Sequence, residues 1–398
     1  MDKAALASLS EAALRGKRVF VRVDFNVPVK GGVVGDDTRI RESLPTIRRV
    51  LAAGASCVLA SHLGRPKGKV AEEFRMAPVA ERLRALLPGV PVTAVRDVVG
   101  SEARAAAGAL RPGQVLLLEN LRFEPGEEKN DPGLARALAD FGDVFVQDAF
   151  GTCHRAHAST AGVPAVMKPA VAGLLLAKEI EAFRLVMGAP QRPLMAVIGG
   201  AKVSDKILVL KHLVDKVDAL LIGGGMAYTF LKALGEEVGS SLCEDDRLDT
   251  AREIVAHAAA RGIPLLLPSD HVCADRFAAD AATQVCVGKI PAGWMGLDLG
   301  PASRAAYAAK LKSARTVVWN GPMGVFEMPP FAAGTLAIAQ ALAASDCASV
   351  VGGGDSVAAV MQAGVADRIT HVSTGGGAFL EMLEGREMPG IAALDDAR

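Results

Sequence analysis

The sequence predicts an α/β protein of two domains, each a mainly parallel sheet covered by helices on both faces. Three observations carry this. The chain has 398 residues, too long for a single typical core. Apolar or β-branched runs alternate with amphipathic stretches along its length, the pattern of strands joined by crossover helices. The polar and glycine-rich clusters fall just after the strands, where open α/β sheets place their ligands.

In the first half, Val19–Phe25 reads as a strand ending in RVDFNVP, since Pro28 cannot continue a central strand. Thr38 opens a helix through Val50 that Gly54 ends, and Cys57–Ser61 is the next strand, running into HLGRP. A helix over Ala77–Leu87, a strand over Val115–Leu118 entering ENLRF, and a helix over Leu134–Phe141 follow. Val144–Val146 enters QDAFGTCHRAHAST. The strand ends deliver Asp24, Asn26, Arg39, His62, Arg65, Arg122, His154, Arg155 and His157. A single loop arginine is ordinarily solvated, but several strand ends each presenting Arg or His predict a pocket for a small polyanion. The i, i+3 histidines of HRAH, with no acid or cysteine in step, do not read as a metal site.

Ala170–Val186 has few helix breakers and is bounded by Pro169 and Gly188, so it is expected to be a rigid helical connector. Beyond it, Leu194–Ile198 enters GGAKVSDK, with Ser204 the expected N-cap of a helix that places Ile207, Leu210, Val214 and Val217 on one face. Strands over Ala219–Ile222, Pro264–Leu267, Thr316–Trp319, Val350–Val351 and Ile369–Val372 follow; four of them enter GGGMAYTF, NGPMGVFE, GGGDS and STGGGAF. Glycine clusters at the start of a helix let backbone N–H groups approach an anion, although they also permit plain close packing of helix on sheet. Asp355 reads either as an N-cap or as the carboxylate for a divalent metal carried by phosphate. Lys202 and Lys206 accompany the first cluster, and a cation at a helix start is unfavourable unless an anion offsets it.

Composition narrows the function classes. Forty-four basic residues balance forty-four acidic ones, so no global field favours nucleic acid or an anionic membrane. The six cysteines form no CxxC pair, which reads as reduced thiols. The N-terminal stretch lacks the unbroken apolar core of a signal peptide, and no run of eighteen or so apolar residues suggests a membrane span, so the expected location is the cytoplasm. No GxxxxGK[ST] occurs and no GxGxxG follows a strand, which argues against a Walker-type NTPase and a dinucleotide-binding dehydrogenase.

The ordered set RVDFNVP, SHLGRP, LENLRF, DAFGTCHRAHAS, GGAKVSDKI, LIGGGMAYTFLK, WNGPMGVFE, VVGGGDS and STGGGAF resembles the phosphoglycerate kinase family across nearly the whole chain. The resemblance implies two Rossmann-like three-layer αβα domains joined by a helix and hinge. It sets residues 1–169 as a 3-phosphoglycerate domain, 170–188 as the connector and 189–378 as the nucleotide domain. Residues 379–398 are then a segment returning to the first domain. It implies that Asp24, Asn26, Arg39 and His62 hold the glycerate end, with Phe25, Leu63 and Gly64 also binding the substrate and Arg65, Arg122 and Arg155 clamping the non-transferred phosphate. It assigns the nucleotide to Gly200, Lys202, Lys206, Gly224, Gly225, Gly296, Asn320, Glu327 and Gly353–Ser356, the last comprising Gly353, Gly354, Asp355 and Ser356. Glu327 falls on the ribose and Asp355 on Mg²⁺. Arg39, Lys202, Gly375 and Gly376 match the groups that meet the phosphoryl in flight. Cys153, where many relatives carry alanine, is a small-for-small change.

The reaction implied is reversible phosphoryl transfer between 1,3-bisphosphoglycerate and ADP, in line and after hinge closure, in a monomer using ATP or ADP with Mg²⁺. Two rival readings share the fold: a nucleotide-dependent transferase acting on another small carboxylate or phosphate ester, and a nucleotide-binding protein without catalysis. The first would alter the arginine clamp, and the second would tolerate loss of Arg39, Lys202 or Asp355.

Overall fold

The computed structural model describes residues 2–397. They form two compact units, one of residues up to Ile180 together with those from Glu387 on, the other of Glu181–Arg386.

The first unit is built on a six-stranded sheet, in which β1 (Arg18–Arg22) lies between β4 (Ser56–Ala60) and β7 (Val144–Gln147). Outward from β4 run β6 (Val115–Leu117) and β5 (Val92–Ala94), and outward from β7 runs β8 (Ala170–Ala172). Every pairing is parallel. A small hairpin of β2 (Val29–Lys30) and β3 (Val33–Val34) stands apart. β4 is buried along its whole length, as expected of a strand covered on both faces. Because the chain leaves β1 toward β4 and returns to β7 on the other side, the sheet has a switch point between β1 and β7, the place where open α/β sheets put their ligands.

The second unit repeats the plan with β9 (Leu194–Ile198) at the switch. On one side of it run β10 (Ala219–Ile222) and β11 (Leu265–Leu266). On the other run β15 (Thr316–Asn320), β16 (Ala348–Gly352) and β17 (His371–Val372), again all parallel. Trp319 is fully buried in this core, its indole N–H donating to the Gly321 carbonyl at 2.7 Å. The Tyr307 hydroxyl ties β10 to β11 by reaching the carbonyls of Ile222 (2.6 Å) and Leu266 (3.0 Å).

Several expectations need correction. The first strand stops at Arg22, and the chain that follows is irregular as far as β2. The stretch from Ala170 does not start as a helix: Ala170–Ala172 pairs with β7, and only Leu174–Phe183 is α-helical, followed by a π-turn over Arg184–Gly188. Long-range pairing overrides a local helical pattern here. Residues from 379 are not one returning segment, because the Gly377–Leu383 helix belongs to the second unit and the chain rejoins the first at Glu387. Ser204 does not cap a helix. Its hydroxyl donates to Glu244 Oε1 at 2.6 Å, its amide donates to Oε2 at 3.0 Å, and the helix begins only at Ile207. That Ile207–Val214 helix buries Val209, Leu210, Leu213 and Val214, while Ile207 is half-buried. A three-stranded antiparallel sheet of β12 (Asp270–Ala274), β13 (Thr283–Val287) and β14 (Met295–Leu299) was not expected at all.

The Leu174–Phe183 helix starts on a buried carboxylate. Asp148 Oδ1 accepts the amides of Leu175 (3.0 Å) and Leu176 (3.2 Å), and the Thr46 hydroxyl also reaches this carboxyl. Burial nonetheless pushes the Asp148 carboxyl up to about 7 against these donors and Lys178. A folded pKa above the unfolded one contributes stability that is present at low pH and lost as pH rises through about 7. Asp148→Asn keeps the acceptor without the charge. It is expected to flatten the fall in stability between about pH 4 and pH 7, measured by urea denaturation at a series of pH values. A profile as steep as the parent's would show that the slope arises elsewhere.

Candidate functional site

At the switch point of the first unit, the residues after β1, β4, β6 and β7 converge. Asp24 is the hub. Arg39, from the Thr38–Ala52 helix, reaches both Asp24 oxygens with Nη1 at 3.2 Å and the Asn26 carbonyl at 3.3 Å. The Asn26 amide returns to Asp24 Oδ1 at 3.1 Å, and the Asn26 side chain accepts the Gly64 amide at 2.9 Å. Asn120 locks the next turn by accepting the Leu63 amide (3.2 Å) and donating to the Leu63 carbonyl (2.7 Å). Arg122 Nη1 donates to the Gly64 carbonyl at 2.8 Å, and its Nε lies 3.4 Å from Glu128. Phe25 is fully buried, with its amide on Ser61 Oγ at 2.8 Å. Arg65 and Arg155 are exposed at the rim.

Beneath this surface lies a layer of charge that the sequence reading passed over. Arg22 is 1% exposed on the last position of β1. Its Nε donates to Ser159 Oγ at 2.8 Å, its Nη1 to the Val23 carbonyl, and its Nη2 lies 3.4 Å from His62 Nδ1. Ser159 is held in turn by Glu127, through hydroxyl to Oε1 at 2.5 Å and amide to Oε2 at 3.0 Å. The one signal in the sequence was an arginine inside an otherwise apolar run, a position that demands a buried partner.

The electrostatics of this region are dominated by burial and by the arginines. Burial, and then Arg22, Arg122 and Arg39, drive His62 well below its ordinary pKa despite Asp24. Burial, and then Arg22, Arg122 and Arg155, push His157 down to about 3. Burial raises the Asp24 carboxyl, but His62, Arg39 and Arg22 together hold it below the usual range. Both histidines are thus disfavoured in their charged form, while Glu127 and Asp24 oppose the effect of burial on Arg22.

The second unit offers a different surface. A cavity of about 510 Å³ opens at its switch point, lined by Gly200, Gly224, Gly225, Gly296, Glu327 and Asp355 of the expected residues. Ser240, Leu242, Phe277, Met295, Leu297, Pro322 and Val325 also line it, and none of these was singled out from the sequence. Met295 and Leu297 come from the unexpected antiparallel sheet, and Phe277 from the loop between β12 and β13. Gly224 is in the left-handed region (φ +69°), and a Cβ there would stand 2.6 Å from the Gly200 carbonyl oxygen. Two glycine turns thus pack backbone on backbone to form the wall.

Lys206, Asn320 and Ser356 fasten the strand ends around the Gly353 turn through separate hydrogen bonds. The Lys206 ammonium bonds Asn320 Oδ1, Asn320 Nδ2 donates to the Gly352 carbonyl at 2.8 Å, and Ser356 Oγ accepts the Gly321 amide at 2.6 Å. Gly353 precedes the Gly354–Gln362 helix at φ +96°, and no side chain caps that helix. Asp355 is not an N-cap: it stands in the first turn, exposed, with its side chain on the cavity. Burial lowers the Lys206 pKa, while Asp205, Asp355 and Glu384 oppose the fall. Lys202 is exposed and near Glu244. Gly375 donates its amide to Ser373 Oγ at 3.2 Å, and Gly376 (φ +47°) precedes the Gly377–Leu383 helix. Lys202, Gly375 and Gly376 do not line the cavity.

Among the described residues, no group of three or more His, Cys, Asp or Glu side chains could hold a metal by itself, and no helix is long and apolar enough to cross a membrane. All six cysteines are free.

The sequence model of the family described as phosphoglycerate kinase matches residues 9–386. A phosphoglycerate kinase of Moorella thermoacetica is 59% identical over 98% of this chain and 99% of its own length. One from Acaryochloris marina is 57% identical over the full length of both. Among solved structures, phosphoglycerate kinase from Coxiella burnetii superposes with a TM-score of 0.90 at 45% identity, covering 98% of each chain. That from Pyrococcus horikoshii superposes with a TM-score of 0.82 at 32% identity, again over 98% of each. With these matches spanning both sheets and both sites, the chain belongs to the phosphoglycerate kinase family, kinases that transfer a phosphoryl group reversibly between 1,3-bisphosphoglycerate and ADP to give 3-phosphoglycerate and ATP.

Proposed function

We propose that the first unit binds 3-phosphoglycerate or 1,3-bisphosphoglycerate, that the second binds the nucleotide with Mg²⁺, and that the named residues divide the work as follows. The supporting observation is the split in chemistry between the two sheets: several arginines gathered about two histidines at one switch point, glycine turns and one partly buried lysine at the other. Asp24, Asn26, Arg39 and His62 take the glycerate end, with the Phe25, Leu63 and Gly64 backbone forming the floor. Arg65, Arg122 and Arg155 take the non-transferred phosphate, whose geometry suits planar guanidinium forks.

In the second unit, Gly200, Gly224, Gly225 and Gly296 flank the adenosine and Glu327 the ribose. The helix that starts at Gly354 turns its unpaired N–H groups toward the phosphates, together with Lys206 and Ser356. A lone carboxylate, Asp355, beside a glycine cradle fits a Mg²⁺ that the phosphates themselves largely hold. When bound, such an ion would neutralise phosphate charge, with Asp355 as the residue that would hold it.

Both nucleophiles are already ionised near neutral pH, an ADP phosphate oxygen in one direction and a carboxylate in the other. No general base is required. What remains is alignment and charge stabilisation of a loose in-line transition state, shared by Arg39, Lys202 and the Gly375 and Gly376 backbone. Substrates bound on separate units have to be brought together, so transfer follows a hinge closure that also excludes water. The protein acts as a cytoplasmic monomer. A coupled assay with 3-phosphoglycerate, MgATP and glyceraldehyde-3-phosphate dehydrogenase tests the reading directly. NADH oxidation should depend on all of them, and a folded protein that binds MgATP without turnover would refute the substrate assignment.

Three substitutions separate the roles. Arg39→Ala should lower kcat by well over tenfold, about 1.4 kcal/mol, with little change in KM for ATP; a smaller loss removes Arg39 from the transfer step. Arg155→Ala should raise KM for 3-phosphoglycerate and leave the nucleotide Kd unchanged by calorimetry. Lys206→Ala should weaken MgATP binding about tenfold or more, and an intact affinity would dissolve the nucleotide assignment.

A further inference from the structure

Arg22 and His62 meet in the buried layer of the first unit, with 3.4 Å between Nη2 and Nδ1. A guanidinium has only donors, so in this contact the imidazole nitrogen must accept. A histidine whose Nδ1 accepts is neutral and carries its single ring proton on Nε2. We propose that Arg22 is a positioning residue that fixes His62 as the neutral, Nε2-protonated imidazole, so that His62 meets an anionic substrate oxygen purely as a hydrogen-bond donor. This rests on the assignment of His62 to the substrate-binding set.

Three features hold the arrangement. Arg22 cannot swing away, because it is almost wholly buried and pinned through Ser159 Oγ at 2.8 Å and the Val23 carbonyl. Ser159 is itself clamped by both oxygens of Glu127, so the guanidinium is anchored to a carboxylate one residue removed. The nearest other candidate for His62 Nδ1 is Asp24 Oδ1, which at 4.0 Å is out of hydrogen-bond reach. A proton on Nδ1, in either the other tautomer or the imidazolium, would point N–H at N–H inside a site where buried polar groups need partners. Burial and the surrounding arginines act in the same direction by disfavouring the charged ring.

The chemical consequence is specific. A site already crowded with Arg22, Arg39 and Arg122 gains a donor for the substrate without gaining another positive charge. His62 then recognises an oxygen by direction, while the arginines recognise its charge.

The test uses the full chain carrying ¹⁵N-labelled histidine, with His62 assigned through the missing signals of His62→Gln. Long-range proton–nitrogen spectra should show an unprotonated Nδ1 and a protonated Nε2 throughout about pH 6 to 8. Arg22→Met should shift that tautomer balance and raise KM for 3-phosphoglycerate about tenfold, with KM for MgATP unchanged. Arg22→Lys, which restores a donor, should recover both in part. If Arg22→Met does not fold, Ser159→Ala, which frees the Arg22 Nε, should loosen the same tautomer preference. A protonated Nδ1 or an imidazolium in the parent spectrum overturns the role of Arg22, as does an Arg22→Met spectrum identical to the parent's. Saturation with 3-phosphoglycerate that leaves the His62 Nε2 signal unmoved overturns the substrate assignment of His62 and leaves its tautomer standing, so the two failures are distinguishable.

Discussion

Like charges held close together in a low-dielectric crevice repel strongly, and the first unit is shaped by that repulsion. Arg22, Arg39 and Arg122 all act on one histidine, and Arg155 acts on another nearby. The fold tolerates this because Asp24, Glu127 and Glu128 stand between the cations, each tied to fixed partners. The carboxylates offset part of that charge. Fewer acids would leave buried cations unpaired, a costly error.

The cavity of the second unit is walled mainly by glycine turns and apolar side chains, with Glu327 and Asp355 as charged lining residues. Where β9, β10 and β15 end, glycines let one turn lie against another, so close that a Cβ on Gly199 would come 2.1 Å from the Pro322 carbonyl oxygen. Backbone amides cannot wander and lose no rotamer freedom on binding, so such a wall is organised before the ligand arrives. Lys206 adds a single charge, held by Asn320 from the neighbouring strand.

The parallel alternation and the polar or glycine-rich strand ends were legible because they follow from local pattern: buried strands are continuously apolar, and glycine or charge collects at their C-termini. What escaped depended on distant residues. Ser204 looked like a cap until Glu244, forty positions on, took its hydroxyl. Ala170–Ala172 looked helical because nothing in the stretch itself announces pairing with Phe145–Gln147. β13 was invisible because Cys286 is its only buried residue, so it carries no apolar stripe. Arg22 was read as part of a strand because its partners, Ser159 and Glu127, lie more than a hundred residues away.

The path of the chain separates two histories of assembly. Everything in the second unit lies in one unbroken stretch, Glu181–Arg386, whereas the first unit takes up the chain again only at Glu387. That late strand of residues is stitched in by backbone bonds: Gly390 to Cys153 (2.9 Å), Asp395 to Ala170 (2.9 Å) and Ala4 to Asp395 (2.8 Å). A ribosome therefore delivers the second unit complete before the first can close, although the first began to emerge earlier. The edge of β8 waits, unfinished, through the synthesis of an entire neighbouring unit, and during that interval it is the part of the nascent protein most open to wrong partners.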